Sequence, residues 1–108
     1  MAKSKLKAKG KEAEKQEAKN LKRSNKLNSL KNEFEGNKIK SFDQVFAIMN
    51  ETPLAEELNI PFLTFRKKTN DPGEFTVNEL IRFAQLIDVQ YETISNFILN
   101  LTHYKRKV

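Results

Sequence analysis

Beyond residue 26, the apolar residues recur along the chain with the spacing of helices. Leu27, Leu30 and Phe34 fall at i, i+3 and i+7 and form one stripe, after which Gly36-Asn37 supplies a left-handed stop. This pattern predicts a helix that ends near residue 35 and docks on the rest of the chain. No segment alternates apolar and polar residues with period two over a useful length, so we expect an all-α protein.

Two capping signals predict the next two helices. Ser41 with Gln44 forms a capping box, and the helix behind it is expected to run to about Asn50. Its apolar face consists of Phe42, Val45, Phe46 and Met49. Thr52 then caps a helix of barely two turns, with Pro53 at its first position. The inward residues of this second helix are Leu54, Ala55 and Leu58.

A corner at residues 59–61 separates the short helix from the next one. The sequence Asn-Ile-Pro favours a tight turn there, and a helix is expected from about Phe62 to Lys68, with Phe65 buried. A proline and a glycine in residues 69–73 then end the helix, because proline lacks the N–H that a continuing helix needs.

The strongest local signature of the chain precedes the next helix. Thr76 and Glu79 form a capping box, and Phe75 with Leu80 forms a hydrophobic staple around it. The expected inner stripe of this helix is Val77, Leu80, Ile81, Ala84 and Ile87. After a short break, a last helix is predicted from the apolar residues Tyr91, Ile94, Phe97, Ile98 and Leu101.

The order of these helices over residues 41–101 resembles the lambda-repressor-like, or XRE-type, helix-turn-helix family. Residues 54–60, LAEELNI, look like its helix-and-turn pattern L-A-x-x-L-G-[VI]. Residues 79–89, ELIRFAQLIDV, look like the helix that follows, L-x-x-[IL]-A-x-x-L-x-V. The resemblance implies that the helix beginning at Phe62 is a recognition helix, whose first residues enter the major groove and contact base edges.

Charge divides the chain into parts with different roles. The 108 residues carry a formal net charge of +6, yet residues 1–26 alone hold ten Lys and Arg against three Glu, a net +7. We therefore expect a polybasic N-terminal arm at 1–37 with a helix ending near 35, a compact five-helix helix-turn-helix domain at 38–103, and a basic tail at 104–108. This excess of Lys and Arg indicates an anionic partner, and nucleic acid is the first candidate.

Residues 1–26 of the arm contain almost no apolar residues, so on their own we expect them to be disordered or a fraying helix. Their cations gain free energy from counterion release when they meet a polyphosphate, and this gain needs no sequence recognition. If about seven of them engage duplex DNA, the logarithm of the affinity should fall with the logarithm of salt with a slope near −6. The predicted phosphate contacts are Lys3, Lys5, Lys7, Lys9, Lys11, Lys15, Lys19, Lys22, Arg23, Lys26, Arg66, Lys67 and Lys68.

Phe62 and Leu63 occupy the positions where a recognition helix usually presents polar groups. They offer no donor or acceptor, so three roles stay open for them: packing in the core, a protein interface, or contact with thymine methyl groups. Exposed glutamates on the preceding helix and a net charge of −3 over residues 38–103 weaken a DNA-reading role for the domain itself. The candidate base or partner contacts are Phe62, Leu63, Thr64, Arg66 and Lys67.

Catalytic and metal chemistry find no support in the sequence. There is no Cys, His103 is the only imidazole, and three glycines form no phosphate-binding loop, so we expect no metal, no cofactor, no small-molecule substrate and no enzyme activity. No apolar run approaches the ~18 residues of a membrane span. We expect a cytoplasmic protein, associated with the nucleoid or the ribosome, that does not bind membranes.

Three functions are compatible with this pattern. The first is a small DNA-binding transcriptional regulator, usually a homodimer, with its recognition helix in the major groove and its arm on adjacent phosphates. The second is a ribosome-associated or other structural RNA-binding protein, whose arm lies on rRNA and whose helical domain is a docking module. The third and least favoured is a phage virion or adaptor protein that binds another protein through Phe62 and Leu63.

Overall fold

The computed structural model describes the backbone of residues 2–103 and the side chains of residues 18–103. Within these residues the fold is all-helical, which confirms the predicted class, and it contains no strand. The helices are α1 (Ala2–Glu35), α2 (Phe42–Ile48), α3 (Glu51–Glu57), α4 (Phe62–Asn70), α5 (Val77–Ile87) and α6 (Tyr91–Leu101). A short 3-10 turn, Pro72–Glu74, joins α4 to α5.

Phenylalanine rings make up the centre of the core. Phe42 contacts the rings of Phe97 at 5.2 Å, of Phe75 at 5.7 Å and of Phe65 at 6.4 Å between centroids. Seven of the eight phenylalanines take part in such ring contacts, and the other three rings are those of Phe34, Phe46 and Phe83. These edge-to-face and offset pairs stabilise the core beyond the apolar area that they bury. Phe62 is the one phenylalanine that this cluster does not include.

Helix α1 belongs partly to the folded unit. Its stripe Leu27, Leu30 and Phe34 is buried against α2, α5 and α6, and Leu30 is completely inaccessible. The core therefore begins at Leu27, inside the arm predicted at 1–37 and directly after the basic residues 1–26. That residues 1–26 alone are disordered or a fraying helix stays a prediction, and the helix begins at Ala2. Its Ala, Lys, Glu and Gln residues have high helix propensity, and a docked last turn removes the cost of nucleation.

Three helices end at a polar residue in the left-handed conformation. Asn37, Asn59 and Asp88 have φ of 58°, 56° and 58°. At each one, the next residue donates its N–H to a carbonyl five positions earlier: Lys38 to Glu33, Ile60 to Ala55 and Val89 to Ala84. This is the Schellman arrangement, which satisfies carbonyls that a helix end leaves unpaired. Asn and Asp tolerate this conformation better than other residues with a side chain.

The inner face of α5 differs from the predicted stripe. Val77 is 60% exposed and Ile81 also faces solvent, whereas Phe83, which the stripe omitted, is buried. The buried positions are Leu80, Phe83, Ala84 and Ile87. They fall at i, i+3, i+4 and i+7, so the core face is centred on one side of α5, and Val77 and Ile81 lie on its flank. The capping box of Thr76 and Glu79 is present as predicted.

Two predicted helix starts need correction. Helix α3 begins at Glu51 with Asn50 as its N-cap, so Thr52 is not the cap and Pro53 stands at the third helical position. Proline fits there because the first N–H groups of a helix have no intrahelical partner. At α2, Ser41 Oγ accepts the N–H of Gln44 as expected, but the Gln44 side chain accepts the N–H of Lys40 rather than that of Ser41.

We expect Leu30→Ala to lower the free energy of unfolding by about 2–5 kcal/mol, because the change leaves a cavity in the core. Leu21→Ala on the same helix is the matched control; Leu21 is 62% exposed, and its loss should cost less than about 0.5 kcal/mol. Urea unfolding followed by circular dichroism measures both. Equally small losses from the two variants would contradict the docking of α1.

Candidate nucleic-acid interface

Helices α3 and α4 meet at a corner that the rest of the fold holds in place. Asn59 takes the left-handed conformation, and Ile60 after it is buried. The guanidinium of Arg82 on α5 donates a hydrogen bond of 2.8 Å to the carbonyl of Leu58, which caps the end of α3. Phe65 is fully buried and anchors α4. The angle between α3 and α4 is thus fixed by backbone, side-chain and core contacts together.

The outer face of α4 carries both apolar and basic side chains. Phe62 is 39% exposed and Leu63 is 71% exposed, so packing in the core, one of the three roles left open, does not apply to them. Thr64, Arg66 and Lys67 are exposed on the same helix. All five candidate base or partner contacts therefore lie on the surface of α4. Four of the five present a cation, an alkyl group or an aromatic ring to solvent, and Thr64 presents a hydroxyl group.

Arg66 links the start of α3 to α4. Its Nε lies 3.5 Å from Oε1 of Glu51, and its guanidinium carbon lies 6.0 Å from the centre of the Phe62 ring. Both contacts are partly solvated, and each is worth about 1 kcal/mol or less. Oε1 of Glu51 is buried and accepts no hydrogen bond, so movement of Arg66 to another anion would leave this oxygen without a facing cation.

Lys68 points into the fold, unlike Arg66 and Lys67. Its Nζ donates to both carboxylate oxygens of Glu79, at 2.6 and 2.7 Å, and both side chains are largely buried. Burial acts to raise the pKa of Glu79, but the hydrogen bonds from Lys68 and from the Thr76 N–H outweigh it and the pKa is lowered. Lys68 thus ties α4 to the capping box of α5, and we leave it out of the proposed phosphate contacts.

Arg23 anchors α1 beside the corner. Its Nε and a terminal nitrogen donate to the two carboxylate oxygens of Glu57, at 2.6 and 2.5 Å. These hydrogen bonds lower the pKa of Glu57 below its usual value, although partial burial acts in the opposite direction. Because Glu57 is the last residue of α3, the part of α1 that precedes Arg23 leaves the folded unit next to the α3–α4 corner.

A basic groove lies between α1 and α3. It has a volume of about 250 Å³ and is floored by Met49 and Pro53. Lys19, Lys22 and Lys26 line it, and they fall at i, i+3 and i+7, on one face of α1. The predicted contacts at Lys3, Lys5, Lys7, Lys9, Lys11 and Lys15 lie on the helix but outside the described side chains. The described cations of the arm thus share one side of the molecule with α3.

The two ion pairs of this region could not be predicted from the sequence. Arg23 and Glu57 are 34 residues apart, and Lys68 and Glu79 are 11 apart across a loop. Neither spacing belongs to a local motif, so only the packing of the helices brings the partners together. The sequence did signal the left-handed corner, because Asn59 is a residue type that favours it.

Other candidate chemistry is not supported by the described part of the chain. Residues 18–103 contain no cluster of three His, Asp or Glu side chains that could hold a metal ion. None of the described helices combines the length and the apolar character needed to cross a membrane. His103 follows α6 with a φ of 59° and is exposed. Comparison of the chain with protein-family models, with curated proteins and with solved structures finds no match.

We expect the free energy of unfolding to fall as the pH drops below the ordinary glutamate pKa of 4.5. Folding lowers the pKa of Glu57 and Glu79, so their contribution is complete above that pH and is lost as the pH falls through the lowered values. Glu79→Gln should cost about 1 kcal/mol at pH 7, because Lys68 loses its charged partner, and much less at pH 3.

Glu56→Gln on the exposed face of α3 is the matched control, with an expected change below about 0.5 kcal/mol at either pH. Urea unfolding at the two pH values measures both variants. If Glu79→Gln were to cost as much at pH 3 as at pH 7, the charge of Glu79 would not be the stabilising feature.

Proposed function

We propose that this chain is a non-enzymatic nucleic-acid-binding protein of helix-turn-helix type, and that it acts as a small DNA-binding transcriptional regulator. One observation carries the proposal: the bidentate Arg23–Glu57 ion pair holds α1, whose part up to Lys26 has a net charge of +7, beside the corner of α3 and α4. Phosphate attraction and groove insertion would then act on the same stretch of duplex.

The corner supports the helix-turn-helix assignment. Asn59 stands where the pattern L-A-x-x-L-G-[VI] has glycine, and its φ of 56° is the conformation for which glycine is usually chosen. Ile60 stands at the [VI] position and is buried, as are Leu54, Ala55 and Leu58. Each position of the pattern thus has a physical reason in this chain.

The dimensions of α1 suit a duplex. From Arg23 to Lys3 a helix extends about 30 Å, and a duplex carries one phosphate charge per about 1.7 Å of its axis. With the first turn of α4 in the major groove, α1 would lie near the adjacent phosphates, and Lys19, Lys22 and Lys26 would be the nearest of its described cations. Arg66 and Lys67 would contact phosphates at the edges of the groove.

The acidic residues of α3 oppose this docking less than their number suggests. Glu57 is paired with Arg23 and Glu51 with Arg66, so two of the three carboxylates already face a cation. Only Glu56 stays exposed without such a partner. Arg23 therefore neutralises Glu57, whereas Arg66 neutralises Glu51 only while it is not bound to a phosphate.

A structural RNA-binding role is the second candidate. It is favoured by the net charge of −3 over residues 38–103 and by a recognition helix whose first two side chains form no hydrogen bonds with bases. In this case the arm would lie on the phosphates of folded RNA, and the helical unit would dock on a protein or on RNA. Counterion release would supply most of the affinity without sequence recognition.

We expect Lys19, Lys22 and Lys26, changed together to Gln, to reduce the slope of log affinity against log salt by about 3, because each phosphate contact contributes about 0.9. Fluorescence anisotropy with a 30-bp duplex at several salt concentrations gives the slope. The matched control is Lys38→Gln with Lys40→Gln, two exposed lysines on the linker after α1. An equal loss of slope per lysine in the control would show that general charge, and not this groove, binds the duplex.

A transcriptional regulator should keep its sequence preference when residues 1–17 of the arm are removed. It should lose that preference with Arg66→Ala or Lys67→Ala. The truncated chain should begin at Ala18, because a deletion that reaches Leu27 removes core residues. Selection from a random duplex pool, repeated with each variant, measures the preference. If both substitutions leave the selected sequence unchanged, the regulator role is wrong. Co-sedimentation with ribosomes at moderate salt, lost on removal of residues 2–17, would favour the RNA-binding role.

A further inference from the structure

The surface of α4 contains an apolar tip, formed by Phe62 and Leu63. Leu63 is the most exposed of the large apolar side chains described, at 71%, and Phe62 is the one phenylalanine outside the aromatic core. Both lie in the first turn of α4. The fold does not need them there, since Phe65 and the Lys68–Glu79 pair anchor the helix, and two large exposed apolar side chains are costly to keep in water.

The surroundings of the apolar tip limit what can cover it. Arg66 and Lys67 are exposed on the same helix, and α4 contains no acidic residue. Glu51, which forms an ion pair with α4, faces Arg66. A surface complementary to the apolar tip therefore combines apolar groups with negative charge close by.

The major groove of a duplex that contains thymine has this combination. Its floor carries the C5-methyl group of each thymine, its walls are lined by phosphates, and its width of about 12 Å admits an α-helix. Cytosine has hydrogen at the same position, so the methyl group distinguishes the two pyrimidines. Apolar side chains can make this distinction without any hydrogen bond.

We propose that the apolar tip recognises the C5-methyl groups of thymine in the major groove. The inference rests on the proposed DNA-binding function and adds to it the chemical group that is recognised. Leu63, in the first turn and almost fully exposed, contacts a methyl group directly. Phe62 lies beside Leu63, and Arg66 lies over one face of the Phe62 ring. A methyl group therefore contacts the edge and the other face of this ring.

The experiment removes and adds this methyl group alone. Anisotropy measures the binding of the full chain to four 30-bp duplexes: alternating adenine–thymine, the same duplex with uracil for thymine, alternating guanine–cytosine, and the same duplex with 5-methylcytosine. Burial of one methyl group corresponds to about a fourfold change in affinity. We expect uracil to weaken binding and 5-methylcytosine to strengthen it, by about fourfold for each methyl group contacted.

Leu63→Ala should reduce two effects at least severalfold: the loss of affinity caused by uracil and the gain caused by 5-methylcytosine. The matched control is Val77→Ala, because Val77 is also an exposed branched side chain, 60% accessible, but lies on α5. It should leave both methyl effects intact. Thermal unfolding verifies that the two variants are folded, which their exposure leads us to expect.

The outcomes separate the inference from the function on which it rests. Equal affinity for all four duplexes, or methyl effects that survive Leu63→Ala, would overturn methyl recognition while leaving DNA binding in place. Absence of binding to every duplex would overturn the DNA-binding function as well. If Leu63→Ala instead dissociates a dimer in sedimentation and leaves duplex affinity unchanged, the apolar tip is a protein interface and the inference is wrong.

Discussion

The burial of one stripe of α1 determines where the basic part of this helix lies relative to α3 and α4. Leu27, Leu30 and Phe34 enter the core, and the transfer of three such side chains from water is worth several kcal/mol. The Arg23–Glu57 ion pair, half exposed on the arginine side, is worth about 1 kcal/mol or less. Apolar packing therefore docks α1, and the ion pair only sets its lateral position beside α3. The basic part of the helix follows in the direction that this packing imposes.

This arrangement separates affinity from discrimination. In the proposed function the attraction for polyanions comes from α1, where residues 18–26 contain four cations and no acidic residue, and where Glu57 of α3 is paired with Arg23. The groups proposed to distinguish one base from another lie on α4, which contributes shape and alkyl surface. Since electrostatic affinity does not depend on sequence, a protein with this proposed function would bind all polynucleotides to some degree. Its selectivity would then depend on a few contacts in the first turn of α4.

The sequence predicted what depends on neighbouring residues and missed what depends on packing. Caps and left-handed stops are local, so the box at Thr76 and the corner at Asn59 were foreseen, and so was the all-helical class. The spacing of apolar residues could not show which side of α5 is buried, because the exposed Val77 and Ile81 are as apolar as the buried Leu80 and Ile87. It also could not show that Phe62 is excluded from a core made of other phenylalanines. Whether Lys68 faces solvent or Glu79 depends on how α4 and α5 meet, which no local pattern encodes.

The left-handed helix ends have a consequence for the margin of stability. At Asn37, Asn59 and Asp88 the chain uses residues that tolerate positive φ but still bear a Cβ atom. Glycine adopts this conformation without a steric penalty, but it loses more freedom on folding, and the short polar side chains of Asn and Asp already lower the penalty. Two of the three side chains also make contacts that glycine would remove: Asp88 accepts a hydrogen bond of 2.9 Å from Lys31 on α1, and Asn37 accepts one of 3.1 Å from Lys40. Asn59 is therefore the corner at which glycine would remove the least, and a substitution there leaves α1 and the outer face of α4 untouched.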